Sequence, residues 1–179
     1  MNKNGFTLLD LIISIIILAI VLAAAAPSFH GLIARNKVER TVTELKGLFI
    51  AAKSEAVMRN KEVYLHTVGL TDTATYTDDW CVIATTEPTA NTCATNNNTL
   101  YIVDGHSFTG LNIKRHEDYA GIRLDPIRGW PNLKSGDMEI DWITLNNEIK
   151  KIISIKIIKQ GRVKSESYTS HQFTRQVKK

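Results

Sequence analysis

Hydrophobic and polar positions divide the chain into three regimes. From Leu11 to Ala26 the only polar side chain is Ser14, and a lone carboxylate, Asp10, stands near the start of the run. With Phe6 to Asp10 added, the stretch reaches roughly the 20 residues that span a hydrocarbon core. A charge placed there costs a few kcal/mol in lipid unless it finds a partner. Beyond Pro27 the pattern becomes amphipathic. Phe29, Leu32, Ile33, Val38, Val42, Leu45, Leu48, Phe49, Ala52, Ala56 and Val57 recur at three- and four-residue steps, the signature of one apolar helix face. Lys37, Glu39, Arg40, Glu44, Lys46, Lys53 and Glu55 take the other face. One helix from about Phe6 to about Arg59 is therefore predicted, roughly 80 Å long at 1.5 Å per residue. Pro27 should kink it, and Gly31 and Gly47 loosen it.

After Asn60 the period changes to two. Lys61–Thr67, Trp80–Thr85, Leu100–Val103, Leu111–Lys114, Gly121–Leu124, Met138–Ile143 and Ile152–Ile158 read as strands, and Val163 opens a last one. Gly69–Asp79 and Glu87–Asn98 are polar and turn-rich. Hairpin-scale gaps without further helical pattern imply an antiparallel sheet or two packed sheets. The fold class is α+β.

The chain of 179 residues holds one globular domain beyond its apolar segment. Its formal net charge of +4 is unevenly placed. From Lys150 onward nine basic residues face one acid, Glu166, so the remainder is net acidic. Such a basic end suits an anionic partner, nucleic acid or acidic lipid, or else it is a solvated tail. The spacing of the two cysteines, Cys81 and Cys93, fits no zinc motif. Outside the cytoplasm they would form a disulfide, contributing about 3 kcal/mol by closing a short loop; the alternative is two free thiols. No nucleophile elbow, HExxH or glycine-rich phosphate loop occurs. His30, His66, His106, His116 and His171 are scattered and read as surface or turn residues. Trp80, Trp130 and Trp142 read as packing residues. No catalytic residue, metal or cofactor is implied, and the chain reads as a structural and binding protein.

Three readings fit the N-terminal segment. A secretory signal peptide would use Lys3, the Ile/Leu run and Ala23–Ala26; Pro27 weakens that cleavage site, and an acid opening the apolar run is unusual. A single-pass anchor is the second reading. The third rests on Gly5-Phe6-Thr7-Leu8-Leu9-Asp10-Leu11, which resembles the G-F-T-L-[IL]-E-L box of type IV pilins and type II secretion pseudopilins, with Asp in place of Glu. Ile122–Gly129 resembles the I-x-F-[DP]-x-x-G turn of the GspH/FimT branch of these proteins. Gly161-Arg162-Val163-Lys164 resembles the branch's closing G-R-x-R, with Lys for the second Arg. The resemblance covers most of the chain.

It implies a pilin-like fold, a long helix packed on an antiparallel sheet. It also implies a prepilin leader at 1–5, a membrane and filament-core helix at 6–27, an amphipathic half at 28–59 and a β-rich domain at 60–179. Prepilin peptidase would cut between Gly5 and Phe6, Phe6 would be N-methylated, and Asp10 would pair with an N-terminal amine during assembly. The implied location is the bacterial inner membrane, single-pass, with the domain in the periplasm and later in a pilus or pseudopilus. The implied partners are other pilins or pseudopilins. Double-stranded DNA would be a further partner if Lys159, Arg162, Lys164, Arg175, Lys178 and Lys179 contact phosphates; the alternative is that Arg162 and Lys164 face solvent or pair with acids of the domain. A minor pilin of a type IV pilus and a minor pseudopilin of type II secretion both fit.

Overall fold

The structure, a computed structural model, describes residues 8–71, 77–115, 121–132, 138–144, 152–157 and 161–168. In chain order the elements are α1 (Leu8–Arg59), β1 (Val63–Val68), β2 (Cys81–Thr85), β3 (Thr99–Asp104), a 3₁₀ turn (Gly105–Phe108), β4 (Leu111–Arg115), β5 (Gly121–Leu124), β6 (Met138–Thr144), β7 (Ile152–Ile157) and β8 (Val163–Tyr168). The chain divides into two units, Met1–Asn36 and Lys37–Lys179.

In the first unit α1 is apolar all round, and its large side chains are exposed: Leu8 by 78% and Ile20 by 64%. Helical conformation continues through Pro27. Leu32 and Ile33, expected on a buried face, are exposed too. Among the described residues no helix is long and apolar enough to cross a membrane.

In the second unit the remainder of α1 buries Val38, Thr41, Val42, Leu45, Leu48, Phe49, Ala52 and Ala56, a stripe at helical spacing. Each large side chain in it contributes roughly 1.5–3 kcal/mol by leaving water. Thr41 is tolerated inside because its hydroxyl donates to the Lys37 carbonyl at 2.7 Å. Three lysines expected to point into solvent are instead half-buried at the stripe's border. Lys37 donates to the Thr109 carbonyl at 2.7 Å, and Lys46 to the Ser165 hydroxyl at 2.7 Å. Lys53 reaches the Gly161 carbonyl at 3.4 Å. Their aliphatic stems lie along apolar surface while the ammonium groups find oxygens at the rim.

The strands form two four-stranded sheets, ordered β3-β2-β1-β5 and β4-β6-β7-β8. Every pairing is antiparallel. Val63 and Leu65 of β1, Val82 and Ala84 of β2, and Ile122 and Leu124 of β5 join one core cluster with the helix stripe. Leu111, Ile113, Ile155 and Ile157 of the second sheet join the same cluster. The helix therefore serves both sheets, and the expectation of an α+β fold with a helix on an antiparallel sheet holds.

Two features differ from the pattern reading. The strand expected from Leu100 runs into a 3₁₀ turn, because the Asp104 side chain caps it by accepting from the His106 backbone N–H at 3.1 Å. And β2 is buried on both faces although period two suggests a single buried face. Trp80, just before β2, is fully buried and stacks on Phe108 (6.4 Å between centroids, 19° between planes). The Arg40 guanidinium covers that Phe108 ring at 5.7 Å.

Candidate functional sites

Cys81 and Cys93 form a disulfide, with their Cα atoms 5.8 Å apart, as the sequence led one to expect. It explains why β2 is buried on both sides. The bridge draws the segment after β2 back over the outer face of the first sheet, where Ile83 is 2% exposed. Backbone bonds pin that segment: Glu87 N–H to the Thr85 hydroxyl at 2.6 Å and Thr86 N–H to the Asn98 carbonyl at 3.1 Å. His66, expected at the surface, is buried on the same face, and its Nε2 lies 3.2 Å from the Glu87 carbonyl oxygen. The segment's edge leaves an open cleft of about 560 Å³, lined by Tyr64, His66, Arg123 and Pro88 to Asn91. At its rim Tyr64 donates to Glu62 at 2.5 Å, and Arg123 pairs with Glu62 at 2.8 Å. The hydrogen bond to the Glu62 carboxylate, and then burial, raise the Tyr64 pKa. Among the described residues no three His, Cys, Asp or Glu side chains converge as a metal site would need. The His116–Asp118 cluster lies outside them.

At the N-terminal site Asp10 is exposed in the first turn of the described helix. The hydroxyl of Ser14 donates to its backbone carbonyl at 2.7 Å, which ties the one polar residue of the run back into the helix. Gly5 and Phe6 lie outside the described residues.

The basic end is only partly described. Lys159, Arg175, Lys178 and Lys179 fall outside the described residues. Arg162 and Lys164 are exposed. Lys164 lies in β8, which starts at Val163, and Arg162 belongs to the preceding turn. That turn is cornered at Gly161, whose φ is +70°, a region that suits glycine. In register, Lys164 of β8 stands opposite Lys156 of β7, and Lys156 stands opposite Glu139 of β6.

The structure also gathers residues that the pattern did not assign. Gly129 has φ +64°, and a Cβ there would run into Lys53 Cγ and lie 3.1 Å from the Lys53 carbonyl oxygen. A Cβ on Gly161 would lie 3.0 Å from Lys53 Nζ and 3.3 Å from the Gly129 carbonyl oxygen. Both turns are thus packed on one helix lysine. The first is held by Asp125, which accepts from the backbone N–H groups of Ile127 (3.1 Å) and Arg128 (2.9 Å). Its own carbonyl accepts from Gly129 N–H at 2.8 Å. Arg128 therefore sits beside the Gly161–Lys164 segment, with its guanidinium 4.8 Å from the centre of the Trp130 ring. An Asp-Pro-x-x-Gly turn was legible, but its neighbour in space was not.

Residues 41–157 match the family model described as Type II transport protein GspH, and residues 1–26 match the prokaryotic N-terminal methylation motif. Two curated relatives, each named fimbrial protein and from Pseudomonas aeruginosa, are 39% identical over 61 residues. That match covers 34% of this chain and 39% of the relative, so the chain spans well under half the length of the curated relatives it matches. Two crystal structures of the type IV minor pilin FimU from P. aeruginosa share the fold, with TM-scores of 0.55 and 0.52 at 17% and 16% identity. They cover 74% and 72% of this chain and 90% and 91% of theirs. Family and structural neighbours alike are structural proteins, not enzymes. The chain belongs to the GspH family, carries the prokaryotic N-terminal methylation motif and has a type IV pilin-like fold.

Proposed function

We propose that this chain is a minor pilin incorporated into, or placed at the tip of, a type IV pilus. Prepilin peptidase removes residues 1–5 and leaves Phe6 as a methylated N-terminus. Residues 6–27 hold the chain in the inner membrane, with residues 28–59 and the 60–179 domain outside the cytoplasm, and later enter the filament core. The observation that carries this reading is the exposure of apolar side chains on every side of α1 from Leu8 to Leu22. So much unpartnered apolar surface needs lipid or other helices around it. Asp10 is a carboxylate in that surface, and a charge in lipid or a filament core needs compensation worth several kcal/mol. In the assembled filament Asp10 pairs with the amine of Phe6, of the same or a neighbouring subunit. The fimbrial relatives support a pilus. The description of the family model supports the second reading, a minor pseudopilin of type II secretion.

The exposed Arg162 and Lys164 support contact with double-stranded DNA through phosphates; Lys159, Arg175, Lys178 and Lys179 would extend it. Two to five such contacts give a log–log salt slope of roughly −2 to −4. The test of assembly is co-expression with a prepilin peptidase and a pilus system. N-terminal sequencing should find Phe6 first, and Asp10→Ala should stay folded yet fail to enter filaments. An intact Met1, or normal incorporation of Asp10→Ala, refutes the reading. For DNA, salt titration of the full chain in detergent with duplex should show Arg162→Gln and Lys164→Gln each lowering the slope by about one. No binding at low salt removes the DNA role.

A further inference from the structure

Arg128 and Trp130 come from the turn after β5 in the first sheet, and Arg162 from the turn before β8 in the second. Yet Gly129 and Gly161, one residue from each arginine, lie side by side over Lys53, and a Cβ on Gly161 would stand 3.3 Å from the Gly129 carbonyl oxygen. With Cα steps of 3.8 Å, the two arginine Cα atoms are held within about 15 Å, a spacing that long side chains can bring to phosphates of one strand. The same turn carries an apolar feature that a reader of phosphates alone has no use for. Trp130 is 40% exposed and Ile127 is 77% exposed, whereas Trp80 is fully buried in the core.

We infer that this shared corner binds single-stranded nucleic acid in preference to duplex, with the Trp130 ring stacking on a base while Arg128 and Arg162 hold the flanking phosphates. The inference rests on the nucleic-acid reading proposed above and adds what that reading lacks, a group that senses bases. In a duplex the base faces are closed by their neighbours, but a single strand opens one to an aromatic ring, a contact indifferent to base identity. The stacking of Arg128 on Trp130 at 4.8 Å suits both tasks. The guanidinium lies over the ring as a cation–π pair, and Arg128 is exposed, so its planar fork of N–H groups is open to phosphate oxygens. The turn's backbone is already fixed. Besides its three bonds to Asp125, the Asp125 N–H donates to the Trp130 carbonyl at 2.9 Å. Presenting these side chains therefore costs little further ordering on binding.

The test uses the full chain in detergent micelles, titrated at low salt with a fluorescent oligothymidylate of about 20 nucleotides and with a duplex of the same length. The single strand should bind about tenfold tighter. It should also quench tryptophan fluorescence, and the quenching should be lost in Trp130→Leu. Trp130→Leu should bring single-strand affinity down to the duplex level and leave duplex binding within about twofold. Trp130→Phe, which keeps a stacking ring, should retain most of the preference, and Arg128→Gln should weaken the single strand more than the duplex. Near-UV circular dichroism, to which the buried Trp80 contributes, checks that each variant is folded. Equal affinity for the two probes, or a single-strand affinity unmoved by Trp130→Leu, overturns the stacking inference. If Arg162→Gln then still weakens both probes, the nucleic-acid reading stands without it. Failure of the wild-type chain to bind either probe overturns both.

Discussion

Replacing Gly129 by alanine is the sharpest probe of how the two sheets are fastened to the helix. Two costs add. An alanine held at φ +64° carries about 1–2 kcal/mol of left-handed strain. Its methyl would also occupy the place of Lys53 Cγ and press on the Lys53 carbonyl oxygen, 3.1 Å away. The lysine stem can swing aside, but the carbonyl belongs to the helix backbone and cannot. Overpacking of this kind costs about 1–3 kcal/mol. Swinging the stem also breaks the Lys53 contact with the Gly161 carbonyl, which loosens the second turn. The expected loss is about 2–5 kcal/mol, which lowers the melting temperature by about 10 °C for a domain of this size. Gly47 supplies a control of opposite sign. It is exposed in mid-helix, and a Cβ there meets nothing within 4 Å. Gly47→Ala should therefore stabilise by about 0.8–1 kcal/mol through helix propensity alone. Thermal and urea unfolding of the full chain in detergent, followed by near-UV circular dichroism, measures both. If Gly129→Ala lies within 0.5 kcal/mol of wild type, or the two substitutions shift stability in the same direction, the packing of that turn on Lys53 is not as described.

Two further outcomes follow from the first sheet. Closing the loop between Cys81 and Cys93, 12 residues apart in sequence, contributes about 3 kcal/mol. A Cys81→Ala/Cys93→Ala variant should lose about that much, and wild-type protein from the periplasm should show no alkylatable thiol when denatured; two reactive thiols would contradict the bridge. The raised Tyr64 pKa means that its bond to Glu62 stabilises the fold fully below the unfolded tyrosine value near 10. That contribution is lost as pH rises through the folded value. An alkaline absorbance titration should show one tyrosine ionising late, and Glu62→Gln should bring it back toward 10. A titration unchanged by Glu62→Gln counts against the assignment.

The long helix was legible because its signals are local. An apolar run followed by a three- and four-residue repeat needs no partner to be recognised, and α1 ends at Arg59 as expected. Strand positions came from period two and β-branching, and each expected strand has a counterpart within a residue or two. The disulfide was inferred from compartment and loop length. What escaped was everything set by pairing at a distance. Period two could not say that His66 and Ile83 would be covered by a returning segment, since that cover depends on where the bridge pulls the chain. Charge on a helix face did not reveal that Lys37, Lys46 and Lys53 would hydrogen-bond to residues more than 70 positions away.

The sequence by itself determined the class of this protein. The box at Gly5–Leu11, the apolar run and the amphipathic continuation are encoded in residue order and in spacings fixed by helix geometry. It also supplied the basic residues of the C-terminal region. Only the tertiary structure decided that Gly129 and Gly161 share Lys53, and so that Arg128 and Trp130 stand beside Arg162. The physical reason is that the order in which strands assemble into two sheets, and the way those sheets share one helix, is chosen by the burial of a common core. No local pattern along the chain carries that choice, and the neighbours it creates at the surface are a by-product of the packing beneath them.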